Sequence, residues 1–278
     1  MRIAITGASG FIGHHVRKEL QRTEHEIVLV ARNGERIGSI LPHELVVEAN
    51  LHHDRDNWFE FFSKPDVLVH LAWGGLGNYL ASQHVDTQLP SQSSFLGSLI
   101  GSGLKKLVIP GTCYEYGICN GELLETQSTK PNTPYGIAKD MLRRRLETLQ
   151  DRHTYDLSWG RVFYPYGDGQ SEKSLYSQLK AAVLRGDREF LMGSGKQALD
   201  FIPVEAVAKT LCQLATKFSG VGIINIGSGR PQTVIDFVNS QISQHRWSIV
   251  PKLGCVPDRD YESNSFWANV EKLDSLEK

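Results

Sequence analysis

Short, nearly unbroken apolar runs punctuate the first 165 residues, at Ile3–Thr6, Ile27–Val30, Leu45–Val47, Val67–Leu71, Leu107–Ile109 and Leu157–Val162. Each is followed by a longer stretch whose apolar positions recur at helical spacing. A strand buried on both faces has no polar side to show, so it reads as continuous Val, Ile and Leu; Asp66-Val67-Leu68-Val69-His70-Leu71 comes close to that limit. Strands of this kind alternating with helical segments predict an α/β fold, a doubly wound parallel sheet with helices on both faces. The pattern changes after about Tyr166. Gly, Ser, Lys and Asp break the chain into shorter pieces through Gly195, then Val204–Lys217 reads as a helix and Gly222–Ile226 as a strand. The expected organisation is a first domain over residues 1–165 and a smaller, less regular lobe over 166–278, with segments around 201–226 returning to the first domain.

Composition removes several function classes. The chain of 278 residues is 40% hydrophobic and 22% charged, an ordinary globular composition that excludes disorder, collagen and coiled coil. With 30 Lys+Arg against 31 Asp+Glu it has no overall cationic field, so neither nucleic acid nor an anionic membrane is an expected partner. No run approaches the roughly 18 apolar residues of a membrane span. Four cysteines without CxxC spacing suit a reducing compartment, and the expected location is cytoplasmic. Ten histidines include His14-His15 and His52-His53, none spaced like a hydrolytic zinc site, and no metal is expected.

Gly7-Ala8-Ser9-Gly10-Phe11-Ile12-Gly13 follows the first predicted strand and opens the helical segment Phe11–Arg22. Glycines there permit a tight turn and close backbone approach to a pyrophosphate, whose charge meets the free N–H groups of a helix N-terminus. This is a Rossmann-type dinucleotide site, with Gly7, Gly10, Phe11, Ile12 and Gly13 as cofactor-binding candidates. Where an NAD site usually places Asp or Glu, the second strand ends Leu29-Val30-Ala31-Arg32-Asn33. Arg32 is matched to a 2′-phosphate, so NADP(H) is expected over NAD.

Tyr135 and Lys139 stand four residues apart, on one face of a helix that Pro131-Asn132-Thr133-Pro134 introduces. A lysine cation beside a phenol is expected to lower its pKa from about 10 and ease proton exchange with a carbonyl. The strand Leu107–Ile109 runs into Gly111-Thr112, whose hydroxyl can share the substrate oxygen. A second Tyr/Lys pair at the same spacing, Tyr176 and Lys180, lacks this context and is read as structural. The run Arg143-Arg144-Arg145 spreads around a helix and is read as solvated surface.

Together these features resemble the extended short-chain dehydrogenase/reductase family, NAD(P)-dependent epimerases and dehydratases acting mainly on nucleotide sugars. The resemblance rests on Gly7-x-x-Gly10-x-x-Gly13, His70-Leu71-Ala72, Thr112-Cys113-Tyr114-Glu115-Tyr116-Gly117, Tyr135-x-x-x-Lys139, Arg161-Val162-Phe163-Tyr164-Pro165-Tyr166-Gly167 and Asp200-Phe201-Ile202-Pro203-Val204. It implies a cofactor also contacted by Leu71, Ala72, Tyr135 and Lys139, a nucleotide-sugar substrate, and a homodimer. Dehydration is disfavoured, because Thr112-Cys113-Tyr114 replaces the Thr-Asp-Glu of the dehydratases. Gly111–Gly117 with Phe266-Trp267 is most similar to reductases of nucleoside-diphosphate 4-keto-6-deoxyhexoses of the dTDP-fucose-forming type, enzymes of deoxysugar and surface-polysaccharide synthesis. The implied roles are Tyr135 as proton donor, Lys139 as its partner and Thr112 as carbonyl orienter. Trp73, Thr112, Cys113, Tyr114 and Arg259 are substrate-side candidates; Trp73 is equally read as a buried packing tryptophan, Cys113 as a small packing residue and Arg259 as an ion-pair partner of Asp258 or Asp260. Leu199 stands where the family often has Arg, with Lys196 as a potential substitute. Two rivals stay open: a 4-epimerase with tightly bound NAD, and a non-enzymatic NADP-binding redox sensor.

Overall fold

The computed structural model describes residues 1–53, 55–257 and 261–277. Its centre is a seven-stranded parallel sheet. The strands used below are β1 (Arg2–Thr6), β2 (Glu26–Ala31), β3 (Glu44–Glu48), β4 (Val67–His70), β5 (Lys106–Thr112), β6 (Gly121–Leu123) and β7 (Asp156–Val162). The sheet order is Gly222–Ile226, then β7, β5, β4, β1, β2 and β3. This is the expected α/β, Rossmann-like architecture, and the order turns back at β1 and β4, the switch point where such sheets open a crevice for ligands.

Side-chain alternation along β1 explains the two layers. Ile3 and Ile5 enter one core with Val16 and Leu20 of α1 (Phe11–Leu20), whereas Ala4 enters the opposite core with Trp58 of α2 (Trp58–Phe61) and Phe95 and Leu96 of α3 (Leu89–Gly101). Both cores lie within the described chain on either face of one sheet, as a period of two requires. Helix α4 (Pro134–Leu149) adds Ala138, Leu142 and Leu146 to the second core. Each fully buried Leu or Ile contributes about 1.5–3 kcal/mol, so these stripes fix which face each helix presents.

Strand β5 continues three residues beyond the predicted Leu107–Ile109, through Pro110 and Gly111 to Thr112. Its pairing with β4 ends at Val69↔Val108, while its pairing with β7 runs on to Thr112↔Val162. Pro110 therefore falls beyond the β4 neighbour, where a missing N–H breaks no ladder on that side. Gly111 is required: a Cβ there would meet the Trp159 indole nitrogen at 2.1 Å and Glu115 Oε1 at 2.4 Å.

The lobe beside the C-terminal ends of the strands packs Leu179, Phe190, Phe237 and Val238 together, with Phe201 stacked on Phe237 at 4.0 Å between ring centroids. A small sheet there joins Gln232–Thr233, Ala198–Leu199, Ser265–Ala268 and β6, so strands distant in sequence meet. Asp200, fully buried, accepts from the backbone N–H groups of Ser228, Gly229 and Ala268 and ties this sheet to the end of Gly222–Ile226. Among the described residues, no helix is long and apolar enough to cross a membrane.

Candidate active site

The glycine loop is closed by contacts that only hydrogen allows. Gly7 adopts φ +70°, and a Cβ on it would meet the Ala72 backbone nitrogen at 2.8 Å; one on Gly13 would stand 2.1 Å from the Gly7 carbonyl oxygen. Leu71 and Ala72, just past β4, are thereby held against the loop, with Leu71 N–H donating to the Thr6 carbonyl at 3.1 Å. Gly10 caps α1 without a side-chain acceptor, and the first turn holds no acidic residue. Its free N–H groups thus retain their affinity for an anion. A cradle that a Cβ would fill, ahead of an uncapped helix, fits a dinucleotide pyrophosphate. Arg32 is exposed directly after β2, and the next acid across the sheet, Glu48, accepts from Gly34 N–H at 2.7 Å.

Catalytic candidates converge from the end of β5 and the start of α4. Thr133 caps α4, accepting from Gly136 N–H at 3.1 Å, with Pro134 at the first helical position. Thr112 ends β5 and caps a short 3₁₀ turn, Cys113–Glu115, while Glu115 accepts from Thr112 N–H at 2.9 Å. This reciprocal capping box holds Thr112 where its hydroxyl hydrogen-bonds the Tyr135 phenol. Lys139, one turn along α4, is buried and donates from Nζ to the Pro110 carbonyl at 3.0 Å.

The electrostatics correct one expectation. Burial pushes the Tyr135 phenol well above its ordinary range, with Tyr79, Glu115 and Cys113 adding to the rise and the Thr112 hydrogen bond opposing it. A neighbouring lysine therefore does not make this phenol acidic; desolvation of the phenolate dominates. Lys139 is itself brought down to about 8 by burial, against the pull of Glu115. Tyr135 is a phenol that stays protonated at neutral pH.

An aromatic wall surrounds the pair. Tyr79 stacks on Tyr135 at 5.1 Å, and the Tyr79 carbonyl accepts from Tyr135 N–H at 3.1 Å. Trp73 meets Tyr135 edge-on at 6.1 Å. Tyr114 lies 6.4 Å from Tyr135 between ring centroids and donates its hydroxyl to Glu262 at 2.6 Å. Trp73, Thr112 and Tyr114 are thus brought to the pair. Cys113 is buried with its thiol pushed well up by burial, which suits packing. Arg259, with Asp258 and Asp260, lies outside the described residues. Leu199 is buried in an apolar cluster with Phe163, Phe266 and Ala268, and Lys196 is exposed in the adjoining loop.

Beneath the site, Glu115 is fully buried and also accepts from Trp159 Nε1 at 2.9 Å and Arg161 Nε at 2.9 Å. Arg143 belongs to this buried cluster: it pairs with Asp140 at 2.7 Å and Glu147 at 2.6 Å and is buried, correcting its expected place on a solvated face. Arg144 also reaches Asp140, at 2.8 Å. Glu115 was signalled by the Thr112-x-x-Glu115 spacing, an N-terminal capping pattern; Tyr79, His84 and Glu262 carried no such signal. Tyr176 packs in the lobe core, and Lys180 binds Asp168. A cavity of about 550 Å³ opens elsewhere, lined by Lys105, Asp156 and Gly222 where β5, β7 and the strand Gly222–Ile226 begin, at the opposite end of the strands from Tyr135.

Comparison with known proteins agrees with this geometry. The NAD dependent epimerase/dehydratase family model matches residues 3–227, and the chain belongs to that family. A dTDP-6-deoxy-L-talose 4-dehydrogenase (NAD(+)) of Aggregatibacter actinomycetemcomitans is 28% identical over 275 residues, covering 96% of this chain and 99% of its own. A UDP-glucose 4-epimerase of Neisseria meningitidis serogroup C is 24% identical, over 86% of this chain and 81% of its own. Among solved structures, a UDP-N-acetylglucosamine 4-epimerase from Methanobrevibacter ruminantium M1 superposes with a TM-score of 0.87 at 21% identity, covering 100% of this chain and 92% of that one. MoeE5 in complex with UDP-glucose and NAD does so with 0.83 at 24% identity, over 99% and 92%.

Proposed function

We propose that this protein reduces the 4-keto group of a nucleotide-linked 4-keto-6-deoxyhexose, with NADPH as the preferred donor. The observation that carries the reading is the Thr112–Tyr135–Lys139 group at the C-terminal ends of the strands, beside a loop shaped for a dinucleotide. A bound nicotinamide supplies hydride exchange with a sugar carbon. The chain's own residues do the rest: Gly7, Gly10 and Gly13 admit the pyrophosphate to the start of α1, Thr112 orients the carbonyl oxygen, and Tyr135 gives that oxygen a proton. A phenol held protonated by its surroundings is matched to donation, the direction that ketone reduction requires. Lys139, lowered to about 8, returns a proton to the phenolate within the working pH range.

The name of the Aggregatibacter relative supports the chemistry, because 4-dehydrogenation of a dTDP-linked 6-deoxyhexose is the reverse of 4-keto reduction. The NAD(+) in that name and the NAD bound in MoeE5 weigh against Arg32 as cofactor selector. Likeness to several 4-epimerases favours a second reading, a 4-epimerase that keeps its NAD. One experiment separates them: incubation with NADPH or NADH and a panel of dTDP-, UDP-, GDP- and CDP-linked 4-keto-6-deoxysugars and their 4-hydroxy counterparts, followed by product NMR. Reduction predicts stoichiometric loss of reduced nicotinamide absorbance with one donor sugar. Conversion of a 4-hydroxy sugar without net loss would establish the epimerase instead.

A further inference from the structure

One chain of polar contacts is built into the apolar wall over Lys139. The Trp73 indole N–H donates to His84 Nδ1 at 3.1 Å, and His84 Nε2 lies 2.9 Å from the Asn78 carbonyl oxygen. A carbonyl only accepts, so Nε2 carries the imidazole proton and Nδ1 offers its lone pair to the indole; one neutral tautomer satisfies both contacts. His84 is fully buried. Burial pushes its pKa down, the Asn78 contact opposes this, and the Lys139 charge adds to the fall, so the imidazole stays neutral.

The π face of the indole completes the arrangement. Lys139 Nζ stands 4.3 Å from the Trp73 ring centroid while donating to the Pro110 carbonyl at 3.0 Å. A π face attracts an ammonium and also keeps water from it. The backbone is shaped to bring His84 there: it opens a π-helical turn, His84–Gln88, a form concentrated at functional sites. Gly75, at φ +79°, lets the loop pass so close that a Cβ would meet Gln83 Nε2 at 2.2 Å and His84 Cε1 at 3.2 Å. Gly74 N–H donates to Gln88 at 3.0 Å, anchoring the loop to the same turn.

We propose that His84 is a positioning residue: through the Trp73 indole it fixes the ring that lies across Lys139 and so holds the ammonium at Pro110, beside Tyr135. The role rests on Tyr135 and Lys139 being the proton-transfer pair. A histidine present only to fill space differs in one respect: Leu would replace it better than Asn, since Asn brings a buried amide. A positioning histidine predicts the reverse, because Asn Oδ1 stands near the place of Nδ1 and keeps an acceptor for the indole, whereas Leu has none.

The test follows the lysine itself. In protein labelled with [13C]lysine, the Lys139 Cε resonance, assigned by its loss in Lys139→Arg, is titrated in wild type, His84→Leu, His84→Asn and Trp73→Phe. Glu115, His70 and Tyr135, the other titratable groups around Lys139, are unchanged in all of these variants. With the ring released and water admitted, the midpoint in His84→Leu rises from about 8 by roughly one unit toward the ordinary lysine value. His84→Asn stays near wild type. Trp73→Phe keeps a ring but loses the N–H, rises in between, and decides the matter if His84→Leu does not fold. In turnover, His84→Leu lowers kcat roughly tenfold with KM little changed, and His84→Asn restores most of it. Equal midpoints in wild type, His84→Leu and Trp73→Phe, or a larger change in His84→Asn than in His84→Leu, overturn the proposal. Absence of reduction with every sugar would instead overturn the functional reading, and the midpoints would still stand.

Discussion

Glu115 and Arg161 pair at 2.9 Å with both side chains almost completely withdrawn from water, directly beneath the residue that ends β5. Removing one partner of such a pair strands a buried charge, which costs about 3–5 kcal/mol, whereas replacing both removes the desolvation demand as well. Arg161→Met is therefore expected to lower stability by about that amount in urea unfolding, and Glu115→Gln/Arg161→Met to recover part of it. Because Glu115 also accepts from Thr112 N–H, Arg161→Met lowers kcat too, and a wild-type kcat in that variant would show that the pair does not position Thr112.

The second and third glycines of the motif, Gly10 and Gly13, should respond differently to alanine. At Gly13 the new methyl would stand 2.1 Å from the Gly7 carbonyl oxygen, but at Gly10 it would stand 3.2 Å from the same atom, a contact relieved by a few tenths of an ångström. Overpacking of the first kind costs about 1–3 kcal/mol, and in this loop it displaces the backbone proposed to meet the phosphates. Calorimetric titration with dinucleotide is expected to show Gly13→Ala weakened roughly tenfold or more and Gly10→Ala much less. Equal affinities would place the pyrophosphate elsewhere.

What the sequence reveals here follows the physics that each feature obeys. The strands of the large sheet were legible because burial on both faces writes itself as runs such as Val67–Val69. The end of β5 was not, since Pro110 and Gly111 ordinarily break strands and only the early end of β4 makes them harmless. Arg143 read as solvated because neighbouring arginines surround it, yet Asp140 and Glu147 stand three and four residues away on the same helix, the spacing at which ion pairs form. Tyr135, Lys139 and Thr112 were legible through motif and context. His84 was not, because its partners Trp73 and Asn78 come together only when a loop closes over an irregular turn.

Stability is expected to fall with acid in two overlapping windows, one opening near neutrality and one only below the ordinary glutamate value. His70 is buried on β4 beside Thr6, and burial, with the Lys139 charge, lowers it to about 3 against the opposing Gln92 contact. Below about pH 6.5 the unfolded chain binds a proton there that the folded chain refuses, so stability declines by about 1.4 kcal/mol per pH unit down to the folded value. Glu44 acts lower. Burial would raise it, but hydrogen bonds from Arg17, Leu41 N–H and Gln21 bring it down to about 2. Its stabilisation is complete above the ordinary glutamate value and is lost as pH falls from there toward 2. Unfolding free energies from urea titrations at pH 7 and pH 5 should differ by about 2 kcal/mol less in His70→Asn than in wild type, with Glu44→Gln altering the more acidic range. The same difference in wild type and His70→Asn would mean that His70 titrates normally.

Tyr135→Phe removes the proposed proton donor and keeps the ring stacked on Tyr79. The expected result is a loss of about 10² to 10⁴ in kcat with dinucleotide affinity retained. Thr112→Ser should keep most activity, since a hydroxyl still reaches the phenol, and Thr112→Val should not. A rate unchanged in Tyr135→Phe would remove this phenol from the reaction.

Arg32 allows the cofactor choice to be tested by a charge reversal. It is exposed and directly follows β2, the position from which a side chain meets the adenosine ribose in this fold. A guanidinium there offers a planar fork to a 2′-phosphate, whereas a carboxylate accepts from two ribose hydroxyls and repels the phosphate. Wild type is therefore expected to show a lower KM for NADPH than for NADH, and Arg32→Asp to invert the order, raising KM for NADPH at least roughly tenfold. Glu48, the acid across the sheet, is already engaged by Gly34 N–H. If wild type prefers NADH and Arg32→Asp leaves both constants as they were, Arg32 is a solvated surface residue and the cofactor is NAD.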